Sequence, residues 1–508
     1  MKVFRSIGAR RSQRQFAAQP RRDRRWRWLA ITLLVGLLVL GVRQPAVADT
    51  PRHYTELQLP PPPEVKLPDY DRLQLTNGLT VYLMEDHELP LVGGRAIVRT
   101  GSRWEPEDLT GLADVVGDVL RSGGTQQHDA ATLDQLLEDR AASIESSIGT
   151  ASGSVSFSAL SEDLESVFGW FTEVLRSPAF APEKIALAKT QLRGNIARRN
   201  DDPDGIASRE FDKLLYGASS PYARTVEYAT LDRIDRPAVE SFYRRYFVPQ
   251  NIILGISGDF DRAAMRRLIE TRLGDWQPGP NRENSLPAVS QVQTGGVFVV
   301  DRPQLTQSSV VLGHLGGLVS NADYPAMAVL NDVLNGFGGR LFNELRSRQG
   351  LAYSVYGYWS PNYDFPGTFQ AGGQTRSEGT VPLIQGLKEE IAKVRSQPIS
   401  NQELNFAKES ALNSFIFNFA DPSQTLSRLM TYDYYGYPSD FIFRYQKAVQ
   451  ATTIEDVQRA AQTYLKPDQL VTLVVGNQKA IQPPLNQLGQ PVTALDVTIP
   501  GVPTGRNS

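Results

Sequence analysis

The chain of 508 residues contains no cysteine and only four histidines. Without cysteine there is no disulfide framework, no thiol nucleophile, no thiolate metal site and no redox couple. A chain this long buries enough apolar surface to stand without cross-links. Catalytic zinc draws its protein ligands mostly from His and Cys, so the shortage of histidine carries weight. His53, His87, His128 and His314 are spaced so that no two share one helix face or one turn. Only a site gathered from across the fold remains open to them. Long apolar runs are also missing: the longest, residues 28–42, has 15 residues, short of the roughly 20 that span a bilayer as a helix. No Lys-Ser/Thr follows Gly336-Phe337-Gly338-Gly339, so that cluster reads as a tight turn and not as a phosphate loop.

Positive charge is concentrated at the start. Residues 1–48 hold 11 Lys/Arg and one Asp, and the remainder carries 42 basic against 54 acidic residues, a formal charge of −12. Bulk electrostatics therefore exclude nucleic acid as a partner. An Arg-rich opening, the apolar run and Ala46-Val47-Ala48 together have the form of an export signal, with the mature chain expected to begin at Asp49. Arg-Arg pairs leave the twin-arginine route open. The expected location is the periplasm or a comparable envelope or lumenal compartment, with membrane contact only through an uncleaved signal.

Pro60 to Pro63 form a stiff lead-in. The expected division is a signal at 1–48, a lead-in at 49–68, a first domain at 69–276, a linker at 277–296, a second domain at 297–485 and a tail at 486–508. Asn77-Gly78, between alternating apolar and polar residues, predicts an opening hairpin. The Pro-, Gly- and Asn-rich stretch from residue 276 to 287 marks the linker. Tyr246-x-x-Pro249 with Gly258 recurs as Tyr464-x-x-Pro467 with Gly476 at an offset of 218. Asp118-Val119-Leu120 recurs as Asp332-Val333-Leu334 at an offset of 214. Two nearly equal offsets argue for a duplicated unit. Short strand-like runs alternating with long helical ones give the fold class as α+β, in two homologous domains, each a mainly antiparallel sheet covered by helices.

Several local patterns occur together: Asp86-His87-x-x-Pro90, Gly101-Ser102-Arg103-x-Glu105-Pro106, Gly111-Leu112-Ala113, Asp202-Pro203 and Tyr246-x-x-Pro249-x-Asn251. The second half adds Gly338-Gly339-x-Leu341-Phe342-x-x-Leu345-Arg346 and Gly350-Leu351-Ala352-Tyr353-Ser354-Val355. With these the chain resembles the pitrilysin/insulinase family of zinc peptidases, which includes the mitochondrial processing peptidases, and its short bacterial members in particular. The resemblance implies a half clamshell that closes on a second subunit around a peptide.

Members of that family carry H-x-x-E-H on a helix, two His gripping zinc and the Glu activating water, with a further Glu ligand in a later helix. Here the matching positions read Asp114, Gly117, Asp118 and Asn195. No metal is expected in this chain. Asp114 and Asp118 remain open to a hard cation or, more simply, to a solvated helix face. The family also uses an Arg and a Tyr seven apart, from the other half of the clamshell, and Arg346 and Tyr353 match them. The resemblance implies that they bind peptide and stabilise an oxyanion in an active site completed by a partner. Residues 341–348 are expected as a helix end, Gly350 as its left-handed cap, and residues 351–358 as the strand bearing Tyr353. Tyr353, Tyr356, Tyr358, Trp359 and Tyr363 fit either a chamber lining or a strand with one packed face.

The expected function is an exported, non-catalytic subunit of a zinc metallopeptidase. It would pair with a homologous subunit that carries the zinc and an intact motif, and act on a peptide substrate. The alternative is a scaffold protein of the same fold with no part in proteolysis.

Overall fold

The structure, a computed structural model, describes residues 66–280, 285–419 and 421–501. The export signal and nearly all of the lead-in lie outside the described residues. Among those described, no helix is long and apolar enough to cross a membrane.

The first half runs β1 (Asp71–Gln74), β2 (Thr80–Glu85), β3 (Leu91–Val98), α1 (Leu112–Ser122), α2 (Ala130–Glu138), β4 (Ser143–Ile148), β5 (Gly153–Leu160), α3 (Leu164–Arg176), α4 (Pro182–Arg198), α5 (Pro203–Tyr216), α6 (Tyr228–Arg233), α7 (Arg236–Tyr246), β6 (Ile252–Gly258) and α8 (Arg262–Leu273). The second runs β7 (Val297–Asp301), β8 (Gln307–Leu315), α9 (Tyr324–Leu334), β9 (Ser354–Ser360), β10 (Thr368–Arg376), α10 (Thr380–Ser396), α11 (Asn401–Phe415), α12 (Pro422–Tyr435), α13 (Phe441–Ala451), α14 (Ile454–Tyr464), β11 (Val471–Gly476) and β12 (Val492–Ala494). The expected hairpin is present, with Leu73 opposite Val81 and Gly78 at a φ of 90° in its turn.

Each half builds a six-stranded sheet, ordered β1-β2-β6-β3-β5-β4 and β12-β7-β11-β8-β10-β9. From β2 onward the two orders superpose strand for strand, and the repeated sequence landmarks fall on β6 and β11 and on α1 and α9. The sixth strand differs in origin. In the first sheet it precedes β2 through the hairpin; in the second it returns from the C-terminal stretch and lies parallel to β7. The fold class is thus the α+β arrangement expected, two sheets each covered by helices.

Each half lends a helix to the other. Asp202 and Asp421 cap α5 and α12 through backbone N–H groups, each followed by a proline in the first turn, where its missing N–H costs nothing. Ile206, Phe211 and Leu215 of α5 bury against Phe298, Val311 and Leu473 on the second sheet. Leu426, Leu429 and Met430 of α12 bury against Tyr82, Met84 and Ile253 on the first. A Cβ on Gly255 would stand 2.2 Å from the Met430 sulfur, so glycine there lets α12 lie flat on the sheet. The opposite face of each sheet packs on helices of its own half. Polar ties also cross between halves: Arg103 grips Asp364 at 2.9 and 3.0 Å, and the Tyr434 hydroxyl donates to the Ala151 carbonyl at 2.6 Å.

Candidate functional site

Helix α1 begins after Gly111, whose φ of 101° only glycine adopts readily. No residue caps it in the usual way. Instead the buried Glu105 carboxylate accepts from the Gly111 and Ala113 N–H groups at 3.1 and 2.9 Å. Leu112, Val115, Val116, Val119 and Leu120 turn into the core of the first half. Asp114 and Asp118 stand one turn apart on the remaining face, and α4, which bears the exposed Asn195, packs alongside. Burial pushes the Asp114 carboxyl up to about 6, helped by repulsion from Asp118, which burial also raises. Burial lifts Glu105 to about 7 against the pull of its backbone hydrogen bonds and of Arg224.

These shifts set a pH dependence. Asp114 and Glu105 bind protons more tightly in the folded chain than in the unfolded one, so stability falls as pH rises from 3.8 through about 6 for Asp114. Asp114→Asn is therefore expected to raise the melting temperature more at pH 8 than at pH 5. Thermal denaturation at both values checks this; an equal gain, or a loss at pH 8, contradicts it.

The donor set does not fit zinc. Among the described residues no three His, Cys, Asp or Glu side chains are placed to hold a metal ion. The position of the water-activating Glu is Gly117, and a Cβ there would lie 2.7 Å from the Ile148 nitrogen of β4. The described histidines are engaged elsewhere. His87 pairs with Asp259 and Glu85 at 2.5 and 2.9 Å, and His128 with Glu173 at 2.8 Å. His314 is buried between the Leu315 carbonyl and the Lys466 N–H, and burial lowers it to about 4.

Arg346 and Tyr353 come together in the second half. Residues Phe342–Arg348 form a wide π-helical turn that ends at Gly350, in the left-handed conformation as expected, with a φ of 62°. The Arg346 guanidinium sits 4.7 Å from the Phe342 ring and 4.8 Å from the Tyr353 ring, sandwiched between them. Among the described residues it makes no salt bridge, and it lines the hollow that Tyr353 shares. Tyr353 is 82 % exposed. The expected strand over residues 351–358 is corrected: β9 begins at Ser354, and Tyr353 stands in the turn before it. The Leu351 carbonyl is taken by the Thr375 hydroxyl at 2.6 Å, and pairing with β10 starts only at Ser354.

The two open readings of the aromatic cluster divide by face. Trp359 is buried in the core, and Tyr363 stacks on Tyr435 at 4.6 Å. Tyr356 and Tyr358 stack on each other on the opposite face. Sequence reasoning missed Phe337 and Phe342. Together with Gly336 and Ser354 they wall a hollow of 250 Å³ around Arg346 and Tyr353, and Phe337 is 84 % exposed. A phenylalanine between glycines was the available signal.

Also missed were Asn331 on α9 and Asn335 at its C-terminal cap. Each side-chain amide both donates to and accepts from one residue of β9, Trp359 and Gly357 respectively, at 2.7–2.9 Å. They close the free edge of the second sheet. Gly117 and Arg121 hold the equivalent places in the first half. Arg121 takes the Ile144 carbonyl at 3.1 Å, and among the described residues no side chain caps the backbone of Ser146 on β4. The Asp114 to Asn195 region and the Arg346 hollow belong to different halves and share no lining residue.

The sequence matches the family model described as insulinase (peptidase family M16) over residues 81–218, and that described as peptidase M16 inactive domain over residues 233–411. Between them they cover more than half of the chain. A Helicobacter pylori protein named non-peptidase homolog YmxG is 23 % identical over 400 residues, which are 78 % of this chain and 91 % of that one. An uncharacterized zinc protease of Mycobacterium leprae is 26 % identical over 372 residues, 70 % and 81 % of the two chains. Among solved structures, a peptidase M16 inactive domain from Pseudomonas fluorescens shares the fold at a TM-score of 0.73 and 23 % identity, over 80 % of this chain and 98 % of that one. The periplasmic protease PqqL of Escherichia coli aligns at a TM-score of 0.70 and 15 % identity, over 88 % of this chain and 50 % of its own.

Proposed function

The chain belongs to the insulinase (M16) family of peptidases, and from that premise we propose that it is a non-catalytic subunit working beside a separate, zinc-bearing chain of the same family. One contrast carries the reading. The helix that would hold the metal bears Asp114, Gly117 and Asp118 with β4 packed against Gly117, while the other half keeps a half-buried Arg346, without a salt bridge among the described residues, against an exposed Tyr353. A scaffold needs neither of the latter. The relative named as a non-peptidase homolog supports the same reading.

In the pair, the partner's metal supplies the activated water. This chain supplies donors. The stacked guanidinium keeps its in-plane N–H groups free, and with the Tyr353 hydroxyl it hydrogen-bonds a peptide carbonyl oxygen as negative charge develops there. The peptide joins a sheet as an added strand. The edge of β9 is filled by Asn331 and Asn335, so within this chain the added strand falls to β4. The export signal expected from the sequence and the likeness to a periplasmic protease support assembly in the periplasm or a comparable envelope compartment.

Reconstitution tests this. The isolated chain is expected to bind no stoichiometric zinc and to hydrolyse no peptide. Arg346→Ala or Tyr353→Phe is expected to lower the activity of the mixed complex by about a hundredfold, in line with removal of an oxyanion donor, without loss of assembly. Full activity in both variants would sink the assigned role and leave the scaffold.

A further inference from the structure

The pattern Asp86-His87-x-x-Pro90 spans the turn from β2 to β3 and has no part in the peptide-binding reading. Backbone ties hold its two ends. The Asp86 N–H donates to the Gly258 carbonyl at 2.8 Å, and the Pro90 carbonyl accepts from the Ser161 N–H at 3.1 Å. Between them, among the described residues, residues 87–89 reach other segments by hydrogen bond only through the His87 ring. Its Nδ1 meets Asp259, in the turn from β6 to α8, at 2.5 Å, and its Nε2 meets Glu85, at the end of β2, at 2.9 Å. The other Asp259 oxygen accepts from the Ser161 hydroxyl, in the turn from β5 to α3, at 2.8 Å. Through Asp259, one ring ties together the ends of three strands and the starts of two helices.

A carboxylate oxygen only accepts, so both ring nitrogens must carry a proton for both contacts to attract. Neutral imidazole has one N–H, and its bare nitrogen would face a carboxylate at hydrogen-bond distance. The surroundings favour the cation. Arg262 of α8 stands 3.2 Å from Glu85 but also serves Asp69 and Asp71, at 2.8 and 3.6 Å. Asp86 and Glu88 flank the ring along the chain. Glu162 and Asp261 line a hollow of 730 Å³ between α3 and α8 together with Asp259 and Ser161, and Arg267 and Arg272 line it further along α8. The hydrogen bonds to Asp259 and then Glu85 hold the His87 pKa above the usual 6.5, while His87 and Ser161 hold the Asp259 carboxyl below its ordinary value.

We propose that His87 is a pH-dependent clasp: protonated, it locks the β2–β3 turn onto Asp259 and fixes that wall of the hollow, and deprotonated it releases the turn. The folded chain binds this proton more tightly than the unfolded one. The clasp's stabilisation is therefore complete below pH 6.5 and is lost as pH rises through the higher folded value. The released segment is short, residues 87–89, because the backbone ties at Asp86 and Pro90 do not titrate.

Imidazole NMR of the full chain, with the His87 signal assigned by its absence in His87→Gln, reads the ring directly. Both nitrogens are expected to be protonated at pH 6, with a midpoint above 6.5. Asp259→Asn is expected to lower that midpoint by about one pH unit, a tenfold loss of proton affinity. Motion of the turn is read by a nitroxide on Leu89→Cys, at a position 60 % exposed in a chain with no other thiol. Its spectrum is expected to sharpen between pH 6 and pH 9, and to lose that response when His87→Gln is added. A midpoint at or below 6.5, a midpoint unmoved by Asp259→Asn, or a spectrum whose pH response is absent or survives in the glutamine variant overturns the clasp.

Discussion

Arg103→Ala is expected to destabilise the folded chain by about 3–5 kcal/mol, the usual loss when one partner of a buried ion pair is removed. The Arg103 side chain is 2 % exposed and meets Asp364 with both terminal nitrogens, one from each half of the chain. Its guanidinium also covers the Trp104 ring at 4.3 Å. Alanine leaves the carboxylate facing the Tyr434 and Tyr435 side chains across a hollow of 280 Å³. Arg103→Lys should recover only part of the loss, since an ammonium cannot match the two-point contact. Urea denaturation of the three proteins decides it. A loss below about 1 kcal/mol would place the pair among exposed bridges of little worth, against its burial.

Gly117→Ala is expected to destabilise by about 1–3 kcal/mol, the cost of overfilling a packed site. Helix propensity alone argues the opposite sign, a gain of about 1 kcal/mol for replacing glycine by alanine inside a helix. The contact at 2.7 Å with the Ile148 backbone decides between them, because hydrogen-bonded strand backbone yields less readily than a side chain. The same closure bears on re-arming the helix. A chain with Asp114→His, Gly117→Glu, Asp118→His and Asn195→Glu is expected to take up no stoichiometric zinc. Metal analysis of that variant, with the melting curve of Gly117→Ala, checks both; a stabilised alanine variant or one bound zinc would show that α1 can move off β4.

Much of the fold lay open in the residues. The Asn77-Gly78 hairpin, the α+β pattern and the repeated landmarks at Tyr246 and Tyr464 are local signals, set by turn chemistry and by side-chain periodicity over a few residues. The start of β9 was misjudged because Leu351, Ala352 and Tyr353 have the composition of a strand, yet the Thr375 hydroxyl claims the Leu351 carbonyl from a distant segment. The stacking of Arg346 between Phe342 and Tyr353 was half visible. The spacing of Arg346 and Tyr353 pointed to a pair, but Phe342 and Phe337 enter only through the shape of the π-helical turn.

By itself the sequence determined that the helix matching the family's zinc motif carries Asp114, Gly117 and Asp118 in place of two histidines and a glutamate. It also determined the doubling of the architecture, since offsets are preserved along the chain. Tertiary structure alone decided that α5 and α12 cross to cover each other's sheets, that β4 closes on Gly117, that Asn331 and Asn335 fill the edge of β9, and that His87 lies between two carboxylates. An apolar helix face or a side-chain amide declares what it needs but not which distant partner provides it. That choice is made by long-range packing, which no local pattern encodes.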